Sequence, residues 1–329
     1  MAGQSRKPIE IGLNAAIVAV EGDTPLILAV RQKEGGGRDS LGLPFGPFDP
    51  LAHRTLDMGL RAWVEEQTAL RLGYVEQLYT FGDRGRHALP GDVGPHVVSV
   101  GYLALTRVAP EANAALERAG AEWRNWYEFF PWEDWRDGRP AILDDVIIPA
   151  LRRFVQSPPP GPPRSSGPGL AERMHLAFGD DGGTWDEERV LERYELLYSA
   201  ALVTEARRDG RVSVHGVPPV PGIAMRFDHR RILATAISRL RGKLKYRPLV
   251  FELMPEEFTL TELQRTVEAI SGRHLHKQNF RRLVEASALV ESTGATTQRT
   301  GGRPAALFRF RRDVIRERPA PGLRFGVRT

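Results

Sequence analysis

Among the 329 residues there is no cysteine at all. That excludes disulfides, thiolate nucleophiles and cysteine-held zinc or iron–sulfur clusters. No uninterrupted stretch of about 18 apolar residues occurs, so no membrane-spanning helix is expected. The opening residues, MAGQSRKPIEIG, lack the apolar segment of a signal peptide, and a cytoplasmic protein is the expectation. What is present is ordinary for a globular chain, with 41% hydrophobic and 26% charged residues. This length outgrows a single core of usual size, so two or three domains are expected.

Acidic residues are scarce in the back of the chain. From Gly222 to Thr329 there are 22 Lys plus Arg against 10 Asp plus Glu, whereas residues 1–221 carry 24 against 31. A balance of +12 behind one of −7 suggests a polyanionic partner for the back alone. A soluble domain with many solvated arginines would give the same counts, so charge leaves both readings open.

Residues 9–20 (IEIGLNAAIVAV) and 25–32 (PLILAVRQ) read as strands around a hairpin turn, Glu21-Gly22-Asp23-Thr24. Leu56, Leu60, Trp63, Val64 and Leu70 recur at helical spacing within 54–72. Tyr74 to Phe81 and His96 to Thr106 read as further strands, and Ile142 to Gln156 as a helix kinked at Pro149. The order predicts an α/β or α+β sandwich over residues 1–156. Ser157 to Gly169 holds six prolines and three glycines in 13 residues, which no helix or central strand tolerates. Residues 157–222 are therefore expected to be a linker with one amphipathic helix, Asp186 to Arg208. Asp228 then caps a helix to about Lys245, opening a third unit at 223–329.

Within that unit, Thr259 caps a helix that Gly272 ends, and His276 to Ser287 forms a second helix after a four-residue turn. Phe280, Leu283 and Val284 face inward, while Lys277, Gln278, Asn279, Arg281 and Arg282 form the outer face. A tight turn followed by a basic, polar second helix is what a DNA-reading helix-turn-helix requires. Leu289 to Ser292 and Ala306 to Phe310 read as strands around a polar loop with Arg299 and Arg303, a wing placed for phosphate or minor-groove contact. Arg273 and His274, in the turn, join the candidate DNA contacts. His274 and His276 have no companions for a zinc site.

The helix in the front unit carries Arg61-Ala-Trp-Val-Glu65-Glu66. This resembles the Nudix box, in which an arginine precedes three glutamates at i, i+3 and i+4 that hold Mg²⁺ against a pyrophosphate. In register, the first of those glutamates is Ala62 here, an earlier glutamate is His53, the late glycine is Thr68, and the leading glycine falls on Pro47 beside Gly46. One carboxylate of three is missing, so no catalytic residue, metal or cofactor is expected. An enzyme with displaced metal ligands stays open as the alternative.

The two halves together resemble the Nudix-related transcriptional regulators of NAD metabolism. The resemblance rests on Phe227-Asp-His-Arg-Arg-Ile-Leu-Ala-Thr-Ala236, Arg239-Leu-Arg-Gly-Lys243, Phe251-Glu-Leu-Met-Pro255, Phe258-Thr-Leu-Thr-Glu-Leu263, Asn279-Phe-Arg-Arg282 and Gly302-Arg-Pro-Ala305, which run collinearly. It implies a Nudix-like α/β/α sandwich, a helical linker region and a C-terminal winged helix-turn-helix. It also implies a homodimeric repressor of palindromic operators near NAD biosynthesis or salvage genes, released by ADP-ribose or a related nucleotide. The candidate ligand residues are then Arg31, Arg61 and Arg84 for the pyrophosphate, Phe45, Tyr79 or Phe81 for adenine, and Gly46, Glu65 and Glu66 in the box. Glu34 to Arg38, three glycines between charges, lacks a phosphate-loop lysine and reads as a plain loop.

Overall fold

β1 (Ile9–Glu21) is apolar on both faces, and such a strand has to run through the middle of a sheet with a layer on either side. The structure, a computed structural model, describes residues 8–33, 39–68, 70–83, 94–158, 168–212, 216, 219–298, 304–317 and 322–323. β1 turns at Gly22 into β2 (Thr24–Lys33), pairing Val18 with Ile27 and Glu21 with Thr24, the hairpin that the sequence predicts. Two short strands that periodicity does not disclose follow: β3 (Asp39–Gly42) against β2, and β4 (Phe45–Pro47) against β1. Beyond α1 (Leu56–Thr68) come β5 (Tyr74–Phe81) and β6 (His96–Leu105), the latter parallel to β1 from Ile9–His96 to Val18–Leu105. α2 (Asn113–Arg118) leads into β7 (Ala121–Asn125), which pairs with β2. The seven-stranded mixed sheet has the order β3-β2-β1-β6-β5, with β4 and β7 off that path.

The strand period of two divides the core. Leu13, Ala15 and Ile17 of β1 pack with Leu60 and Val64 of α1 and Leu116 of α2. Ala16 and Val18 face the other way, into a larger cluster built from helices further along the chain. These are α3 (Ile148–Gln156), α4 (Leu170–Phe178), α5 (Val190–Ser199), α6 (Thr204–Arg208) and α7 (His229–Leu244). The front of the chain is thus the expected α/β/α sandwich. Its second helical layer, however, comes largely from residues beyond 156.

Three expectations need correction here. The stretch read as a linker with one helix carries three, α4 to α6, and Met174, Phe178, Trp185, Tyr194, Leu197 and Val203 are buried in the same cluster as the sheet. Their apolar side chains have no other place to go, so this segment is a structural layer. The helix expected from Asp186 to Arg208 breaks after Ser199, where Ala201 takes a left-handed φ of 54° and the Leu202 N–H reaches back to the Leu197 carbonyl at 2.9 Å. Leaving the helix there lets both Leu202 and Val203 be buried. Around Pro149 the chain forms a π-helical turn, Leu143–Ile147, before α3. The turn is closed by the Ile148 N–H on the Leu143 carbonyl, five residues back.

The winged helix-turn-helix follows the predicted order: α8 (Leu260–Ser271), α9 (Lys277–Ser287), β8 (Val290–Thr297), β9 (Ala305–Phe310) and α10 (Val314–Glu317). Thr259 and Glu262 form a reciprocal capping box, Thr259 Oγ1 accepting from the Glu262 N–H at 3.1 Å and Glu262 Oε2 from the Thr259 N–H at 2.7 Å. Residues 293–297, expected in the wing loop, extend β8 past a register shift between Ser292 and Thr296. Phe258 and Phe308 exchange backbone hydrogen bonds at 2.8 and 2.9 Å, giving the wing a third, one-residue strand. No helix among the described residues is long and apolar enough to cross a membrane.

A buried ion cluster joins these parts. Glu133, in the segment after β7, receives Arg193 of α5 as a fork, Nε to Oε1 at 2.6 Å and Nη2 to Oε2 at 2.8 Å. Arg241 of α7 donates to Glu133 Oε2 at 2.8 Å, and all three side chains are no more than 1% exposed. Arg241 Nε also donates to the Ile270 carbonyl at the end of α8, 2.8 Å. Burial pushes the Tyr127 hydroxyl above its usual pKa, so it stays protonated and donates to the Ala269 carbonyl at 2.8 Å. Gly272, at φ +72°, lies against the Glu133 carbonyl and the Tyr127 hydroxyl with no room for a side chain. Glu133→Ala would strand two guanidiniums without their counter-ion, and a stability loss of about 3–5 kcal/mol is expected in urea unfolding. A loss below about 1 kcal/mol would mean that the cluster carries little of the joint.

Candidate functional site

Two regions hold the residues singled out by sequence: the β4–α1 corner in front and the outer face of α9 behind. In the corner, Gly46 of β4 is buried under the Trp63 ring, where a Cβ would collide with the indole. Trp63 Nε1 donates to the Pro47 carbonyl at 2.7 Å, and Gln67 Nε2 to the Phe45 carbonyl at 2.8 Å. These bonds clamp β4 onto α1. Phe45 is half-buried, with its ring centroid 5.9 Å from that of His229. Glu65 and Glu66 stand exposed on α1, Glu65 reaching Arg71 at 3.2 Å, and Ala62 is exposed beside them. Two carboxylates and a methyl on this surface offer a hard cation few oxygen ligands. Among the described residues no group of three or more His, Asp or Glu is arranged to hold a metal.

The other candidate ligand residues are dispersed. Arg61 donates to Asp57 at 3.0 Å, to the Leu72 carbonyl at 2.6 Å and to the Gly73 carbonyl at 3.3 Å. Its fork ties down the chain after α1, so a pyrophosphate would have to displace it. Arg31 lies on β2, paired with Glu122 of β7 at 2.7 Å. Phe81 is 2% exposed, packed in the core under the Arg231 guanidinium, and offers no open ring face to an adenine. Tyr79, its edge-on neighbour, is exposed. Arg84 and the loop Glu34 to Arg38 lie outside the described residues.

Sequence reasoning passed over Asn14. It sits in β1 opposite Phe45 and Gly101, fully buried, and neither its amide nitrogen nor its oxygen has a partner. A lone asparagine inside the run LNAAIVAV was the available signal, since an unmet buried amide is costly and needs a reason. His229 was also missed as a site residue. Its Nδ1 accepts from the Leu43 N–H at 2.9 Å, which fastens the start of α7 to the β3–β4 turn.

On α9, Lys277, Gln278, Asn279, Arg281 and Arg282 are all exposed, while Phe280 and Val284 are buried against α8 and Leu283 is half-buried. The face is basic and hydrogen-bonding, and within it Arg282 Nη2 donates to Asn279 Oδ1 at 3.2 Å. His274 is 64% exposed, with Nδ1 at 3.2 Å from Glu268. Arg273 departs from expectation: it folds back, donating to the Trp185 carbonyl at 2.8 Å with its guanidinium over Trp135. The indole faces and that carbonyl out-compete solvent for it. Arg265 of α8, also exposed, was not singled out. Arg299 and Arg303 lie outside the described residues.

Residues 250–310 match the NrtR DNA-binding winged helix domain. Over 84 residues the chain is 46% identical to the ADPR responsive transcriptional repressor NtrR of Acinetobacter baylyi, which is 26% of this chain and 33% of that repressor. The match thus spans about a third of that relative's length. The structure is similar to Shewanella oneidensis NrtR complexed with a 27mer DNA, with a TM-score of 0.53 at 20% identity over 92% of this chain and 94% of that one. It is also similar to a MutT/nudix family protein from Enterococcus faecalis, with a TM-score of 0.51 at 15% identity over 94% and 89%. At such identities the likeness is one of fold. The chain has a Nudix-type sandwich joined to a winged helix-turn-helix.

The Trp63 clamp yields a direct test. Gly46→Ala should force the indole off β4 and lower stability by about 1–3 kcal/mol, measured by thermal unfolding. An unchanged melting temperature would show that Trp63 is free to move.

Proposed function

We propose that this chain is a ligand-responsive transcriptional repressor of NAD biosynthesis or salvage genes. It senses ADP-ribose or a related NAD-derived nucleotide through a Nudix-like domain that does not hydrolyse it. The observation that carries the reading is α9: five polar or basic side chains, Lys277, Gln278, Asn279, Arg281 and Arg282, share one exposed face behind a capped α8 and beside a wing. Arginine and lysine suit guanine edges and phosphates, and glutamine or asparagine suits adenine. The name of the Acinetobacter baylyi relative, an ADPR responsive repressor, supports the effector. The DNA complex of the Shewanella oneidensis protein supports the partner.

In this reading residues 1–156 supply the sensing sheet, 157–222 much of its second helical layer, and 223–329 the DNA-binding unit, whose α7 also packs in that layer. The protein is cytoplasmic and works as a homodimer, placing two α9 helices on half-sites about 34–36 Å apart along the duplex. A change in that spacing on ligand binding removes one half of the contact. Loss of hydrolysis follows from Ala62, because Glu65 and Glu66 alone leave a hard cation short of oxygen ligands.

Duplexes selected by the protein from a random pool provide the operator for the test. Arg281→Ala with Arg282→Ala should weaken binding to that duplex roughly 100-fold, measured by mobility shift, with the melting temperature unchanged. Undiminished affinity would remove α9 from the interface. Incubation with ADP-ribose and Mg²⁺ or Mn²⁺ should release no AMP. Release that Glu65→Gln abolishes would establish the alternative, an active pyrophosphohydrolase fused to a DNA-binding domain.

A further inference from the structure

Arg273, which turns away from the α9 face, borders a cavity of about 260 Å³ at the joint between the two units. Its walls come from three separate parts of the chain: Trp135 and Arg139 from the segment after β7, Phe178, Thr184 and Trp185 from the stretch around α4 and α5, and Arg273 from the helix-turn-helix turn. Phe178 and Trp185 are buried, and the Trp135 and Trp185 rings lie 4.5 Å apart, so much of the lining is aromatic.

Three guanidiniums surround the two indoles. Arg193 lies 3.8 Å from the centre of Trp185, while Arg139 and Arg273 stand 5.3 and 5.7 Å from that of Trp135. Arg193 is answered by Glu133, and Arg139 by a two-point pair with Asp144 at 2.8 and 3.0 Å. Arg273 has no carboxylate partner among the described residues. Its Nη2 donates to the Trp185 carbonyl, so Arg273 brings to the cavity wall a positive charge that is met there by a backbone oxygen and not by a carboxylate.

The fitting ligand therefore has a flat apolar body and one anionic end. An apolar cavity of about 150 Å³ takes up benzene, so this one has room for a single ring bearing a carboxylate, and too little for a dinucleotide. A guanidinium without a carboxylate partner, set against aromatic walls, matches that shape. We propose that this cavity is a second ligand site, for a small planar monocarboxylate, distinct from the nucleotide site of the sensing unit. Its occupant draws on Arg273 from the turn between α8 and α9, so it bears directly on how the reading helix is held. The site stands on this geometry and does not depend on the DNA-binding reading.

Benzoate is the probe, with benzamide as its neutral counterpart and inorganic phosphate as a ringless anion. Titration of the full chain, followed by tryptophan fluorescence and thermal melting, should give saturable benzoate binding below about 10 mM, with benzamide and phosphate at least about tenfold weaker. Arg273→Gln should weaken benzoate at least about tenfold in a protein that circular dichroism finds folded. Thr184→Trp, at an exposed position on the lining, blocks the cavity while sparing Arg273, and should abolish the signal. The proposal is overturned by no saturable benzoate binding, by benzamide or phosphate binding equally well, or by benzoate binding that both substitutions leave intact.

Discussion

The carboxylate of Glu133 is the point on which the assembly of this chain depends. It lies in the segment that trails the β-sheet, and it neutralises one guanidinium from α5 and another from α7. Two arginines and one glutamate leave a buried net positive charge, which is tolerable only because the carbonyls of Ala177, Asp186, Glu187 and Ile270 take up the remaining donors. Burial lowers the Arg193 pKa, and the adjoining Glu133 works against that shift. A cluster of this kind contributes less to stability than to uniqueness. It specifies which helix carbonyl meets which arginine, and so the angle at which the helix-turn-helix leaves the sheet.

That placement gives the sheet a physical route to α9. The last carbonyls of α8 are held by groups from outside the winged helix: Ala269 by Tyr127, Ile270 by Arg241, and Gly272 by the Trp135 N–H at 2.8 Å. α7 extends the route. Its first turn is fastened to the β3–β4 turn through His229 and Leu43, beside Phe45 and Gly46, and its last turns carry Arg241. A second buried pair, Arg230 with Glu205 at 3.2 Å, fixes α7 to α6, and Arg230 also donates to the Phe129 carbonyl. A displacement of β4 would thus be felt at the start of α7, one rigid helix away from the turn that sets α9.

Local signals made much of this legible. The β1–β2 hairpin, α1, the Thr259 cap, the Gly272 stop and the split of α9 into buried Phe280 and Val284 and exposed Arg281 and Arg282 all follow from spacing and residue type. The role of residues 170–208 was not legible, because Arg193 and Glu205 look like solvent-facing charges until their partners Glu133 and Arg230, at 60 and 25 residues' separation, are known. The break at Ala201 was hidden for a similar reason: alanine is a helix former, and burial of Leu202 and Val203 overrides that preference. In the candidate site, composition could not distinguish a ligand arginine from a structural one. Arg61 and Arg273 turned out to be committed to backbone carbonyls, and Phe81 to the core.

On the proposed function, a nucleotide in the front unit changes DNA binding by the back one. Titration of ADP-ribose, without divalent metal, into the complex of the full chain with a fluorescent duplex it has itself selected measures that coupling by anisotropy. DNA release is expected, with affinity falling within the roughly 5–150-fold range of ordinary allosteric coupling. Affinity unchanged at saturating ADP-ribose, with the nucleotide demonstrably bound, would contradict it.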